Sequence, residues 1–297
     1  MKCDLCPRKC LVDRKKGEKG ICGQTENLKV ARAALHFWEE PCISGDAGSG
    51  AVFFSGCPLH CVFCQNENIA NGTVGKEIAL ERLVDIFLEL QEKRANNINL
   101  VTPGHFVPQI TKALDLAKQE GLKLPIVYNT SSYETVETIK RLEGYVDIYL
   151  PDFKYMSPGL SKKYSHAPDY AEVAKAAIAE MVRQTGKAVF VNGDEDNLIL
   201  RGTIVRHLTL PGCMADSMQI LKYLHETYGD MIYISIMNQF TPLSNLEKYP
   251  ELNRRITDEE YETLVDYAIE IGIENGFIQE GDTAEESFIP AFDCEGV

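Results

Sequence analysis

The sequence predicts an α/β fold, a partial (β/α)6 barrel carrying a small N-terminal metal-bound cysteine-rich segment, and three observations lead there. Short apolar runs alternate with amphipathic helical stretches about six times along the chain. Each run is followed by a helix, which calls for parallel strands joined by right-handed crossovers. Seven of the ten cysteines fall in two clusters near the amino terminus, so metal chemistry is concentrated at the front of the chain. An open, doubly wound sheet is the alternative arrangement of the same units.

The elements follow in order. Residues 51–55 form the first strand-like run, and a cysteine-rich loop comes directly after it. Residues 79–95 place apolar side chains at helical spacing, and 98–102 is a short strand-like run behind them. Helix 107–120 leads to strand 125–129, and helix 134–142 leads to strand 146–150. Helix 170–185 precedes a region ending in 204–210, and helix 214–228 precedes strand 231–236. Thr257 followed by Asp258, Glu259 and Glu260 supplies an N-cap and an acidic first turn for the last helix. This divides the chain into residues 1–45, a cysteine-rich metal-binding segment, and residues 46–297, the barrel.

Composition narrows the function classes. A chain of 297 residues with 44% apolar side chains suits one barrel-type domain with a small appendage. Lysine and arginine number 30 against 44 acidic residues, a net charge of −14, so no broad basic surface is expected for a nucleic-acid backbone. Met1-Lys2-Cys3-Asp4 is not followed by an apolar h-region, and no run of about 18 apolar residues is free of charge. The expectation is a cytoplasmic protein with no membrane partner, whose ten cysteines serve metal rather than disulfides.

Gly56-Cys57-Pro58-Leu59-His60-Cys61-Val62-Phe63-Cys64 is the most informative stretch. Three thiolates at this C-x3-C-x2-C spacing can hold three corners of a [4Fe–4S] cluster and leave one iron open to a reactant, since such clusters ordinarily take four thiolates. A structural zinc ion closed by four ligands is the competing reading, with His60 the nearby fourth candidate. The earlier set, Cys3-x2-Cys6-x3-Cys10 with Cys22, is a closed four-thiolate site in a basic, glycine-punctuated loop. Too few apolar residues lie in 1–25 to form a core, so a metal supplies the folding free energy there. Zinc and a second [4Fe–4S] cluster both fit it.

In β/α barrels the reactive groups sit at the carboxyl ends of the strands. Those ends read Thr102-Pro103-Gly104-His105, Asn129-Thr130-Ser131-Ser132, Pro151-Asp152-Phe153-Lys154, Pro211-Gly212-Cys213 and Met237-Asn238-Gln239. Ordinary turn chemistry accounts for any one of them taken singly. His105 is either a turn-stabilising residue or a substrate contact, and 36–41 lines the front of the barrel or packs through Trp38. Cys42, Cys213 and Cys294 are read as isolated thiols, the first two within reach of the barrel mouth.

The C-x3-C-x2-C spacing, with aromatic Phe63 before its last cysteine, resembles the signature of the radical S-adenosylmethionine (SAM) superfamily. Over nearly its whole length the chain resembles the branch containing the pyruvate formate-lyase-activating enzyme and relatives with an N-terminal cysteine motif. Leu150-Pro151-Asp152-Phe153-Lys154 resembles that branch's Asp-x-Lys element, and the stretch from Val205 to Gly212 resembles its fifth-strand segment. The resemblance implies catalytic cluster ligands Cys57, Cys61 and Cys64, and SAM contacts from Phe63, Thr102, Pro103, Gly104, Asn129, Asp152, Lys154 and Arg206. It implies reductive cleavage of SAM to a 5′-deoxyadenosyl radical that takes hydrogen from substrate, a protein glycine if the activases are the guide. A peptide or small-molecule substrate, or a non-enzymatic zinc-binding module, are the alternatives, and an enzyme of this kind needs a reductant such as flavodoxin or ferredoxin. Two departures stand out: the usual Gly-Gly-Glu turn is Thr102-Pro103-Gly104-His105 here, and Met237-Asn238-Gln239 replaces the sixth-strand histidine.

Overall fold

The structure is a computed structural model and describes residues 2–193, 197–243, 246–279 and 290–297. Its described strands are β1 (Leu28–His36), β2 (Ser49–Phe54), β3 (Lys76–Ile78), β4 (Ile98–Val101), β5 (Ile126–Thr130), β6 (Ile148–Pro151), β7 (Val189–Phe190), β8 (Ile199–Leu208), β9 (Tyr233–Met237) and β10 (Gly276–Ile278). They form one sheet in the order β10-β9-β8-β6-β5-β4-β2-β1-β3, with β7 attached to β8. From β2 to β10 the neighbours along this path are parallel. β10 and β3 end the path without pairing, so the barrel is partial.

The apolar runs become parallel strands because helices cover them. β2, β4, β5 and β6 are buried along their whole length, as expected for strands covered on both faces. The helix Leu80–Glu92 buries Leu83, Val84, Ile86, Phe87 and Leu90, a stripe at helical spacing that meets the sheet. The last helix, Asp258–Glu270, starts with the expected cap: Thr257 accepts from the Glu260 N–H while Glu260 reaches back to the Thr257 N–H.

Three features differ from the sequence expectation. β10 adds a seventh parallel strand, and its three residues are too few to show a pattern. β1 lies inside residues 1–45 yet pairs antiparallel with β2, so the sheet begins within the segment read as separate from the barrel. The helix Pro158–Ser165 was not foreseen, although Ser157 caps it and Pro158 opens it in the manner such starts take.

The chain's last residues complete the sheet beside β1. Ala33 donates its N–H to the Glu295 carbonyl at 2.8 Å and Cys294 donates to Ala31 at 3.1 Å. Arg32 pairs with Asp293 and Glu295 across the same seam. Among the described residues no helix is long and apolar enough to cross a membrane.

Candidate active site

The cysteine loop leaves the carboxyl end of β2, where the reactive end of a parallel barrel lies. Gly56, at φ 92°, makes the turn into Cys57, and a side chain there would strike the Cys22 carbonyl 2.5 Å away. Main-chain N–H groups then face sulfur: those of Leu59 and His60 toward Cys57, that of Asn66 toward Cys64. The Ser165 hydroxyl donates to Cys61 Sγ at 3.0 Å. Phe63 turns inward, its ring 6.0 Å from that of Phe240 and 6.4 Å from those of Tyr155 and Tyr164.

Burial, and then the neighbouring Cys61, pushes the Cys57 thiol up to about 11. Burial likewise raises Cys61 and Cys64, and Cys64 is pushed further by Cys61 and Cys57. Three thiols thus stand close enough to oppose one another's ionisation. A cation or cluster removes that opposition, since metal-bound thiols are deprotonated.

The thiols share a cavity of about 650 Å3 with Phe63, Thr102, Asn129, Asp152, Lys154 and Arg206. Strand register assembles its polar wall. Asp152, just past β6, bridges Arg206 on β8, and Arg206 is level with Ser235 on β9. Arg206 donates from Nε to Asp152 at 3.0 Å, from Nη1 to Glu39 at 2.9 Å and from Nη2 to Asn129 at 2.7 Å. Lys154 Nζ donates to the other Asp152 oxygen at 2.7 Å. Burial pushes the Asp152 carboxyl up, but the Lys154 ammonium and the Arg206 guanidinium outweigh it and hold it below the usual carboxylate range. Burial would lower Lys154, and Asp152 and then Cys61 reverse that, leaving it above its ordinary value.

The Glu39 carboxylate belongs to the 36–41 segment expected to line the front of the barrel, and it does line the cavity. Its Oε1 accepts from Asn99 and Asn129 and its Oε2 accepts from Arg206, so it gathers three interior side chains into one network. Glu40 beside it is buried and raised, first by desolvation, although Arg206 opposes the shift. Both come from the turn between β1 and β2, which meets β2 at its amino end and so closes the barrel from below. Trp38 before this pair and Pro41 after it are exposed, so the sequence marks the 36–41 segment without singling out Glu39 within it.

Other expected positions fall elsewhere. Pro103 and Gly104 lie off the cavity lining; Gly104 instead lets the chain pass Glu134, whose carboxylate would lie 2.6 Å from a Cβ there. His105 is buried, donates Nε2–H to the Ser55 carbonyl at 2.7 Å and is pushed down to about 3 by that burial. It stabilises the turn and does not reach the cavity. Cys42 and Cys213 do not line the cavity either.

Cys3, Cys6, Cys10 and Cys22 come together at the other end of the loop pair. Burial pushes the Cys6 thiol up to about 12, with Cys22, Cys10 and Cys3 adding to it. A Cβ at Gly20 would lie 3.0 Å from Cys10 Sγ and 3.5 Å from Cys22 Sγ, so both sulfurs sit against this glycine. Among the described residues no three Cys, His, Asp or Glu side chains converge on one ion position.

Residues 51–199, half of the chain, match the radical SAM superfamily. The chain belongs to the radical SAM superfamily. Its members are enzymes that use a [4Fe–4S] cluster and SAM. The chain is 27% identical over 275 residues to an uncharacterized protein of Methanocaldococcus jannaschii, an alignment covering 90% of this chain and 74% of that protein. Its fold is similar to SuiB of Streptococcus suis bound to S-adenosylmethionine, with TM-score 0.52 and 14% identity, covering 80% of this chain and 51% of that one. It is also similar to HydG, a maturase of the [FeFe]-hydrogenase, with TM-score 0.51 and 15% identity, covering 78% and 52%. The radical SAM chain thus spans about half the length of those solved structures. The sulfur-directed N–H groups, the opposed thiols and the adjoining polar cavity fit the superfamily's cofactors.

Proposed function

We propose that the chain reductively cleaves SAM and abstracts hydrogen from a protein glycine, as glycyl-radical-enzyme activases do. Cys57, Cys61 and Cys64 would hold the cluster, which supplies one electron to the SAM sulfonium and so frees a 5′-deoxyadenosyl radical. The observation carrying this reading is that the three thiols share one cavity with the Asp152, Lys154 and Arg206 network. Lys154 and Arg206 would receive a carboxylate, Thr102 and Asn129 would bond polar groups of the nucleotide, and Phe63 would close one wall, a reading supported by their shared lining of the cavity. Glu39 fixes the Arg206 plane, and the wall excludes water from the reacting atoms. Among the described residues β3 and β10 do not pair, which supports a polypeptide entering on that side.

A peptide or small-molecule substrate is the second reading, favoured by the floor that Glu39 and Glu40 give the cavity. SuiB has been crystallised with its precursor peptide SuiA on a similar fold. The reductant we assign is a flavodoxin or ferredoxin.

Anaerobic protein reconstituted with iron and sulfide, then given dithionite and SAM, is expected to release 5′-deoxyadenosine, and Cys57→Ala is expected to abolish it. Absence of the nucleoside from the wild-type protein with its reductant and target supplied overturns the reading. A glycyl-radical signal in a partner protein selects the activase reading, and a modified peptide or small product without it selects the second.

A further inference from the structure

The two cysteine loops are interlocked through their main chains. The Cys22 carbonyl lies against Gly56, and Gly56 is bonded directly to Cys57. One Cα step of about 3.8 Å therefore separates the main chain touching one cysteine set from a ligand of the other. His60 Nε2 meets the Ile21 carbonyl at 2.8 Å, and Arg8 donates from Nε to the Pro58 carbonyl at 2.9 Å and from Nη2 to the Ser165 carbonyl at 3.0 Å. Ser165 is the residue whose hydroxyl bonds Cys61 Sγ. A structural clip would serve equally well at any distance from the reacting centre; this one is built onto its ligand loop.

Charge marks the same segment. Residues 1–25 hold Lys2, Arg8, Lys9, Arg14, Lys15, Lys16 and Lys19 against Asp4, Asp13 and Glu18, seven positive to three negative, in a chain whose net charge is −14. The remaining residues therefore carry −18, from −14 less the +4 of this segment. Lys9, Lys15, Lys16 and Lys19 are exposed, and Leu11 and Ile21 are 51% and 49% exposed among them. An apolar centre with a basic rim suits a transient partner of opposite charge.

We propose that Cys3, Cys6, Cys10 and Cys22 hold a second [4Fe–4S] cluster and that the basic loop around it is where an acidic one-electron carrier docks, so that electrons enter the catalytic site through this cluster. The Leu11 N–H donates to the Cys3 carbonyl and the Lys9 N–H to the Cys6 carbonyl, both at 3.1 Å, which folds the first three cysteines into one loop, and Gly20 lies beside the Sγ atoms of both Cys10 and Cys22. In the step, one electron leaves the reduced carrier, which is oxidised, and the catalytic site gains it; no bond forms or breaks. The direction of flow rests on the proposed radical SAM activity, whereas the metal assignment does not.

The test uses the full chain, reconstituted without oxygen. Wild-type protein is expected to bind about eight irons, Cys3→Ser/Cys6→Ser about four, and Cys57→Ala/Cys61→Ala about four. The paramagnetic signal of the first double variant is expected to shift with SAM, and that of the second is not. Zinc in place of iron, or no metal retained by the Cys57→Ala/Cys61→Ala protein, overturns the cluster. For docking, Lys15→Glu/Lys16→Glu is compared with wild type under a reduced acidic ferredoxin and under dithionite. The ratio of ferredoxin-driven to dithionite-driven cluster reduction is expected to fall about tenfold at low salt, and the difference to vanish as salt rises. An unchanged ratio overturns the docking surface. Failure to make 5′-deoxyadenosine would sink the proposed function alone, since the iron counts and reduction rates are read without it.

Discussion

Arg206 Nη1 and Glu39 Oε2 meet at 2.9 Å although 167 positions separate them in the chain. That contact joins the turn below the barrel to the strand carrying the polar wall, and it sets the first expectation. Arg206→Leu leaves Glu39, Asp152 and Asn129 without their shared donor in a buried place. The loss is expected to cost about 3–5 kcal/mol, seen as a lower urea midpoint, and to weaken SAM binding in equilibrium dialysis. Glu39→Gln keeps the shape but removes the charge and is expected to fall between wild type and Arg206→Leu in both measurements.

Ser165→Ala removes the hydroxyl donating to Cys61 Sγ. Hydrogen bonds to sulfur stabilise the reduced, more negative state of such centres. The variant is expected to keep its iron and its fold while its midpoint potential becomes more negative. An EPR-monitored redox titration checks the sign.

Gly104→Ala places a Cβ 2.6 Å from both Glu134 carboxylate oxygens. Those oxygens already accept from Tyr128 and Thr130, so the carboxylate has no free direction in which to retreat. The substitution is expected to cost about 1–3 kcal/mol and to lower the melting temperature. A SAM dissociation constant left within a few-fold of wild type would agree with the placing of Gly104 behind the cavity.

Acid sensitivity follows from buried imidazoles. Burial pushes His207 down to about 4 despite its bond to the Phe153 carbonyl, and His105 down to about 3. The unfolded chain takes up those protons near an ordinary histidine value of about 6.5 while the native chain refuses them. Stability is therefore full above that value and falls as pH drops toward 4. His207→Gln is expected to flatten the slope of unfolding free energy between pH 4.5 and 6 by about 1.4 kcal/mol per pH unit. Urea titrations across that window measure it.

Much of this was legible from residues alone. The six main strands, the C-x3-C-x2-C loop at the end of the first and the capping of the final helix by Thr257 all rest on local pattern, and local pattern survives folding. Asn129, Asp152 and Lys154 stand at strand ends, where such barrels gather their reactive groups, while their roles and that of Arg206 were nominated through the family resemblance. Glu39 was reached only as part of the 36–41 segment; its bond to Arg206 depends on a turn entering from the opposite end, and charge beside an exposed Trp38 reads as surface. Ser165 went unseen with its helix, even though Ser157-Pro158 announces the start. The nearness of Cys22 to Gly56 depends on how one loop leans on another, and spacing along the chain carries no trace of it.

The seam between β1 and residues 293–295 has a consequence for handling the protein. Ala31 and Ala33 give their carbonyl and N–H groups to Cys294 and Glu295. Cut away the terminal octapeptide and that margin of β1 becomes a bare template, free to zip onto a neighbouring molecule's strand. Removal of residues 290–297 should therefore yield material that clumps.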